Sequence, residues 1–90
     1  MSGRPAVFDA SLDASRLRVA VVVARYNAPI TDRLLAGAVE EFARRGGDPA
    51  SLTVLPAPGS FELATLAGGA AKSGRFDAVV ALGCLIKGET

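Results

Sequence analysis

The ninety residues contain no histidine and no tryptophan, and only one cysteine and one tyrosine. The missing histidine removes both the commonest metal ligand and the commonest general base. With Cys84 as the single thiol, no intramolecular disulfide can form. Charge of one sign is also lacking, because ten Lys and Arg face nine Asp and Glu for a formal net charge of +1. Binding of nucleic acid or an acidic membrane surface through the protein's field needs a basic excess. The few aromatics (Phe8, Tyr26, Phe42, Phe61, Phe76) are not interleaved with a basic stripe either, so nucleic-acid binding is excluded. The longest apolar run, residues 19–24, is far short of the roughly 20 residues a membrane-crossing helix needs. The N-terminus lacks the basic stretch followed by an apolar stretch that marks a signal peptide, and the cytoplasm is the expected compartment. The glycines form neither a dinucleotide-binding nor a P-loop pattern.

What is present is apolar material, half of all residues, in a chain long enough for one domain. A chain of this size buries only roughly 60–65% of its unfolded surface. Residues 1–17 read as an arm with a short strand around Val7, and residues 18–90 as an α/β domain. Residues 18–24 (Arg-Val-Ala-Val-Val-Val-Ala) form a continuous β-branched run, as in a parallel strand buried on both faces. Residues 25–30 read as a connection punctuated by Pro29. Thr31 or Asp32 then caps a helix to about Arg45. Leu34, Leu35, Ala38, Val39 and Phe42 recur at three- and four-residue steps to form its stripe. Glu40 with Arg44 and Glu41 with Arg45 are spaced as helix-supporting pairs, and Gly46-Gly47 is the stop signal.

Residues 51–55 predict a second strand, and Pro56-Ala57-Pro58-Gly59 a sharp turn. Ser60 reads as the cap of a second helix, with Glu62 in the first turn where the dipole favours an acid. Leu63, Leu66, Ala67 and Ala70 supply its apolar face. Gly68 and Gly69 within it each disfavour helix by about 1 kcal/mol relative to alanine, and Gly74 ends it. The third strand lies within residues 77–86, centred on 78–82. Strand, helix, strand, helix, strand implies right-handed crossovers and a parallel sheet with helices on its faces. With no third helix to cover the last strand, a partner or further chain is expected to supply the missing layer.

Three short segments follow the three strands: Arg25-Tyr26-Asn27, Pro58-Gly59-Ser60-Phe61-Glu62, and Gly83-Cys84-Leu85-Ile86 running into Lys87-Gly88-Glu89-Thr90. In an open parallel sheet the carboxyl ends of the strands line the crevice where ligands bind. Taken one at a time, each segment has an ordinary structural reading beside the functional one. Tyr26 is equally a packing aromatic, residues 58–62 a turn plus helix start, Cys84 a small core residue, and residues 87–90 a loop.

Together, at this spacing on a βαβαβ frame, these segments resemble the lumazine synthase family. That family carries an Arg-Phe-Asn turn, a Pro-Gly-Ala-Phe-Glu helix start and a Gly-x-Val-Ile-Arg-Gly-x-Thr loop. The resemblance covers roughly residues 17–90 and implies a flavodoxin-like three-layer α/β/α sandwich whose last strand and closing helices lie beyond Thr90. It implies homo-oligomers, either pentamers or sixty-subunit shells. It also implies a transferase of riboflavin biosynthesis that condenses 5-amino-6-(D-ribitylamino)uracil with 3,4-dihydroxy-2-butanone 4-phosphate. The products are 6,7-dimethyl-8-ribityllumazine, phosphate and water, with no metal or organic cofactor.

Carried over by position, the resemblance implies that Tyr26 stacks on the pyrimidine, where a phenylalanine is more usual. Ser60, Phe61 and Glu62 meet the ribityl chain and ring edge, and the backbone of Cys84, Leu85 and Ile86 reads the uracil. Glu89 and Thr90 hold the phosphate, with Lys87 in place of the more usual arginine. The proton carrier is a histidine two residues past Thr90, so no catalytic residue is assigned within the ninety, and the chain alone is expected to be inactive. A catalytically silent homologue that binds a ribityl pyrimidine or flavin, and a shell-forming structural subunit, are the alternatives.

Overall fold

The structure, a computed structural model, describes residues 13–85; the strand expected around Val7 lies outside them. Three strands form one parallel sheet: β1 (Val19–Ala24), β2 (Thr53–Ala57) and β3 (Ala78–Leu82), in the order β2-β1-β3. The two helices are α1 (Ala28–Arg44) and α2 (Ser60–Lys72), and a 3-10 turn at Pro49–Ser51 precedes β2. The chain moves from β1 to β2 and then back across β1 to β3. Crossovers of the same right-handed sense running in opposite directions put their helices on opposite faces of the sheet. This is the expected α/β architecture, with the 2-1-3 order that opens a flavodoxin-like sheet.

The core is β1. All six of its residues are buried, with Ala20 and Val22 at 0% exposure. As the middle strand it is hydrogen-bonded on both edges, with Val22 in register with Leu55 on one side and Ala81 on the other. Each fully buried valine contributes about 1.5–3 kcal/mol of apolar burial. The outer strands are only partly covered, and Val54 and Val80 stay exposed.

The helix boundaries differ from the sequence expectation in two informative ways. Helix α1 starts at Ala28 rather than at Thr31 or Asp32, and Pro29 lies inside its first turn. A proline there lacks only an N–H that has no intrahelical partner anyway, and its fixed φ suits the helix. Thr31 is therefore not a cap but the one buried residue of α1, at 1% exposure, with Oγ1 3.5 Å from the carbonyl oxygens of Asn27 and Ala28. Helix α2 takes Gly59 as its N-cap, so Ser60 is its first helical residue rather than its cap. Glu62 does stand in the first turn, as expected.

Strand β2 runs two residues later than expected. Ser51 belongs to the 3-10 turn, where Asp48 Oδ1 accepts from the Ala50 N–H at 3.0 Å and Asp48 O accepts from Ser51 Oγ at 2.7 Å. Pro56 and Ala57, expected to turn the chain, instead complete β2 against Val23 and Ala24. Among the described residues β2 has a strand on one side only, and an edge strand tolerates a proline.

The end of α1 is as expected. Gly46 N–H donates to Ala43 O at 3.0 Å and Gly47 N–H to Phe42 O at 2.9 Å, with Gly46 at φ +93°. This is the paired bonding of a Schellman stop. The turn at residues 13–17 packs against it, with Ala14 buried and its N–H donating to Arg45 O at 2.9 Å. Arg44, the last residue of α1, and Arg45 after it both converge on Glu41, at 2.7 Å and 2.5 Å, so Arg44 pairs with Glu41 and not Glu40.

Candidate functional site

Because all three strands are parallel, all three exits lie on one edge of the sheet. Ala24 is level with Ala57, and Val23 with Leu82. Arg25 N–H donates to Ala57 O at 2.8 Å, which extends the ladder one step beyond β1 before the chain turns away. Tyr26 thus leaves from the central strand, between the β2 exit that leads to residues 59–62 and the β3 exit that leads to residues 83–85. The three segments therefore leave the sheet along one rim.

The Tyr26 wall rests on an unusual backbone. Asn27 has φ +60° and ψ +48°, the only positive φ among the described non-glycine residues. Asparagine tolerates this left-handed region better than most residues. Its carbonyl accepts from the N–H of Ile30 at 2.9 Å and Thr31 at 3.1 Å, which turns the chain straight from strand into helix. Its side-chain Nδ2 is buried without a hydrogen-bond partner among the described residues. Tyr26, just before it, is 44% exposed. Sequence reasoning had quoted Asn27 only as part of a turn; nothing in the pattern disclosed its backbone state.

The second wall is the first turn of α2. Phe61 projects from it at 92% exposure. Glu62 folds back toward Gly59, since a Cβ built on Gly59 would lie 3.2 Å from Glu62 Oε1. Ser60 Oγ is buried and has no partner among the described residues. The third wall meets the second directly, because a Cβ built on Gly83 would lie 3.5 Å from Ser60 Oγ. Beyond Gly83, Cys84 is a half-buried free thiol and Leu85 is 82% exposed. Ile86, Lys87, Glu89 and Thr90 lie outside the described residues.

A rim of this kind offers an exposed aromatic face, an acid close to a helix N-terminus, and backbone groups after β3. Such a set suits a small planar, polar ligand. Among the described residues no three His, Cys, Asp or Glu side chains gather as a metal site, and no helix is long and apolar enough to cross a membrane.

Comparison with known proteins agrees with that geometry. Residues 16–90 match the 6,7-dimethyl-8-ribityllumazine synthase family. The chain belongs to that family. A 6,7-dimethyl-8-ribityllumazine synthase from Thermus thermophilus is 47% identical over 87 residues, covering 97% of this chain and 55% of the relative. One from Chlamydia trachomatis serovar L2 is 51% identical over 78 residues, 86% of this chain and 50% of the relative. In Caulobacter vibrioides, 6,7-dimethyl-8-ribityllumazine synthase 1 is 45% identical over 73 residues, 81% of this chain and 48% of the relative. The chain spans about half the length of the curated relatives it matches. Of this lumazine synthase family chain, the described residues carry three parallel strands and the rim that follows them.

Proposed function

We propose that the full protein condenses 5-amino-6-(D-ribitylamino)uracil with 3,4-dihydroxy-2-butanone 4-phosphate to 6,7-dimethyl-8-ribityllumazine, phosphate and water, as a cytoplasmic transferase of riboflavin biosynthesis. The observation that carries the reading is the common carboxyl edge from which Tyr26, residues 59–62 and residues 83–85 leave the sheet, in a chain of this family.

In this reading Tyr26 stacks on the pyrimidine ring. Ser60, Phe61 and Glu62 face the ribityl chain and ring edge, Glu62 accepting from hydroxyls. Backbone groups of Cys84, Leu85 and Ile86 pair with the uracil, and Glu89 and Thr90 take the phosphate of the second substrate. The aryl amine condenses with the ketone with loss of one water, phosphate is eliminated, and the ring closes with loss of a second water. Little covalent assistance is needed, so most of the acceleration comes from holding the two substrates together, an effect worth roughly 7–11 kcal/mol when orientation is good. Proton transfers by a positioned group add about 10²–10⁴-fold. With no histidine in these residues, that group is assigned to the rest of the protein.

Self-association into pentamers or shells completes the reading. The apolar side chains left exposed on the described surface, Ile30 and Leu34 of α1 among them, support it.

The test is to mix the full-length protein with both substrates and follow lumazine absorbance and phosphate release. Equimolar appearance of the two products is expected. Binding of the ribitylaminouracil without product would replace this reading with a silent binding homologue. A protein that neither binds nor reacts would leave only an assembly role.

A further inference from the structure

Glycines in this chain are there for two different reasons. Gly46 and Gly74 adopt φ of +93° and +75°, which most other residues resist. Gly83 has no positive φ, so its backbone does not call for glycine. What it lacks is room. A Cβ on Gly83 would lie 2.5 Å from Leu63 Cδ1 as well as 3.5 Å from Ser60 Oγ. The first separation is far inside contact distance. Leu63 is a half-buried residue of the apolar stripe of α2, the helix packed on β1, β2 and β3.

We infer that Gly83 is a positioning residue of the lumazine synthase site: its missing side chain lets the backbone after β3 lie against the first turn of α2, and this close approach sets the width of the hollow that receives the pyrimidine. The inference rests on the reading above and adds to it the residue that fixes the spacing of two of its walls. Gly83 itself touches no substrate; it acts through the placement of Ser60 and of the Cys84 and Leu85 backbone. A methyl group at 83 overlaps Leu63 Cδ1 and only touches Ser60 Oγ, so either the Leu63 side chain turns away or the β3 exit moves off the helix, and the second movement opens the hollow.

The experiment uses the full-length protein with Gly83→Ala, Leu63→Ala and the double substitution. It reads the equilibrium affinity for 5-amino-6-(D-ribitylamino)uracil alongside the melting midpoint. Gly83→Ala is expected to weaken binding about 10-fold, well within the effect of a displacement of about 1 Å. Leu63→Ala makes room for the new methyl group, so the double variant should bind within about 2-fold of Leu63→Ala alone, a coupling that independent sites do not show. If Gly83→Ala does not fold, the comparison of the double variant with Leu63→Ala decides alone: equal affinity supports the inference and a further loss overturns it. Wild-type affinity in folded Gly83→Ala overturns it, as does a lower melting midpoint with unchanged affinity, which is the mark of a packing role only. Wild-type protein that neither binds nor reacts overturns both this inference and the function proposed above. A working wild type with an unaffected Gly83→Ala overturns this one alone.

Discussion

The two edges of the sheet are built from the same three strands, yet they are finished differently. At the amino edge Arg18 and Asp77, the residues just before β1 and β3, satisfy each other. Asp77 Oδ2 accepts from the Arg18 backbone N–H at 2.8 Å, Oδ1 pairs with Nη2 at 3.1 Å, and Arg18 O accepts from the Asp77 N–H at 2.7 Å. At the carboxyl edge two buried polar atoms, Asn27 Nδ2 and Ser60 Oγ, have no partner among the described residues. Asn27 is in the left-handed region, and Phe61 and Leu85 stand in solvent. A buried polar group without a partner costs about 1–3 kcal/mol, and strained backbone of this kind persists where the surroundings impose it, often at functional sites. One edge has been finished for stability. The other tolerates unsatisfied groups at the place where parallel sheets hold ligands.

The contrast breaks most visibly at Tyr26. Truncation to alanine in the full-length protein should weaken ribitylaminouracil binding about 5- to 150-fold, the range expected when an aromatic platform worth about 1–3 kcal/mol is lost. Tyr26 is only half-covered, so the accompanying loss of stability should stay below about 1 kcal/mol. Binding titration and thermal melting on the same preparation check both halves. Unchanged affinity with a large drop in melting midpoint would make Tyr26 a packing residue and dissolve the distinction between the edges.

Asn27 sharpens the comparison on the stability side. A β-branched residue has to hold φ near +60° at a cost of about 1–2 kcal/mol, so Asn27→Val should lower the unfolding free energy by that amount, read as a lower urea midpoint with the slope unchanged. Glycine adopts the same conformation freely, and both variants remove the buried amide, so the difference between them isolates the backbone. Asn27→Gly should therefore match the wild type or exceed it by a few tenths of a kcal/mol. Equal stabilities for the valine and glycine variants would mean that the left-handed turn is not imposed by the fold.

These two residues also mark the limit of what the sequence discloses. The alternation of strand and helix was legible because its signals are local: the valine run of β1, the Gly46-Gly47 stop, and the acid of Glu62 in a first turn. The common edge followed, since parallel strands joined by helices leave no other arrangement. Prolines misled in both directions, because a proline's effect depends on its neighbours. Pro29 fits a first helical turn and Pro56 fits an edge strand, and neither context is visible before the fold is known. Ser60 looked like a cap, but Gly59 before it takes that place. The backbone state of Asn27, the orphan atoms and the contact of Gly83 with Leu63 are tertiary facts with no sequence signature. The α1 stripe was read correctly as a pattern, yet Leu34 remains exposed, because periodicity reports which side is apolar and not whether anything covers it.

The smallest expected effect lies at the amino edge and depends on pH. The Arg18 side chain, and then its backbone N–H, hold the Asp77 carboxyl below its ordinary range. A carboxylate whose folded-state value is depressed binds its proton less readily in the folded than in the unfolded chain. Its stabilisation is therefore complete above the unfolded value of about 3.9 and disappears as pH falls through the lower folded value. Asp77→Asn keeps an oxygen for the Arg18 N–H but removes the charge. The variant should melt slightly below the wild type at neutral pH, and the gap should close as the pH is lowered past about 4. Both partners are substantially exposed, so added salt should shrink the neutral-pH gap as well. Asp13 and Glu41 are depressed too, Asp13 chiefly by the Ser15 backbone N–H and Glu41 chiefly by Arg44. Wild type and variant alike should therefore lose stability in acid, and only the difference between their melting curves isolates Asp77. Lumazine formation by Asp77→Asn at neutral pH should equal that of the wild type, because the substitution lies at the opposite edge from the rim. A variant with normal melting and impaired turnover would show that the two edges communicate, and the division of labour between them would have to be abandoned.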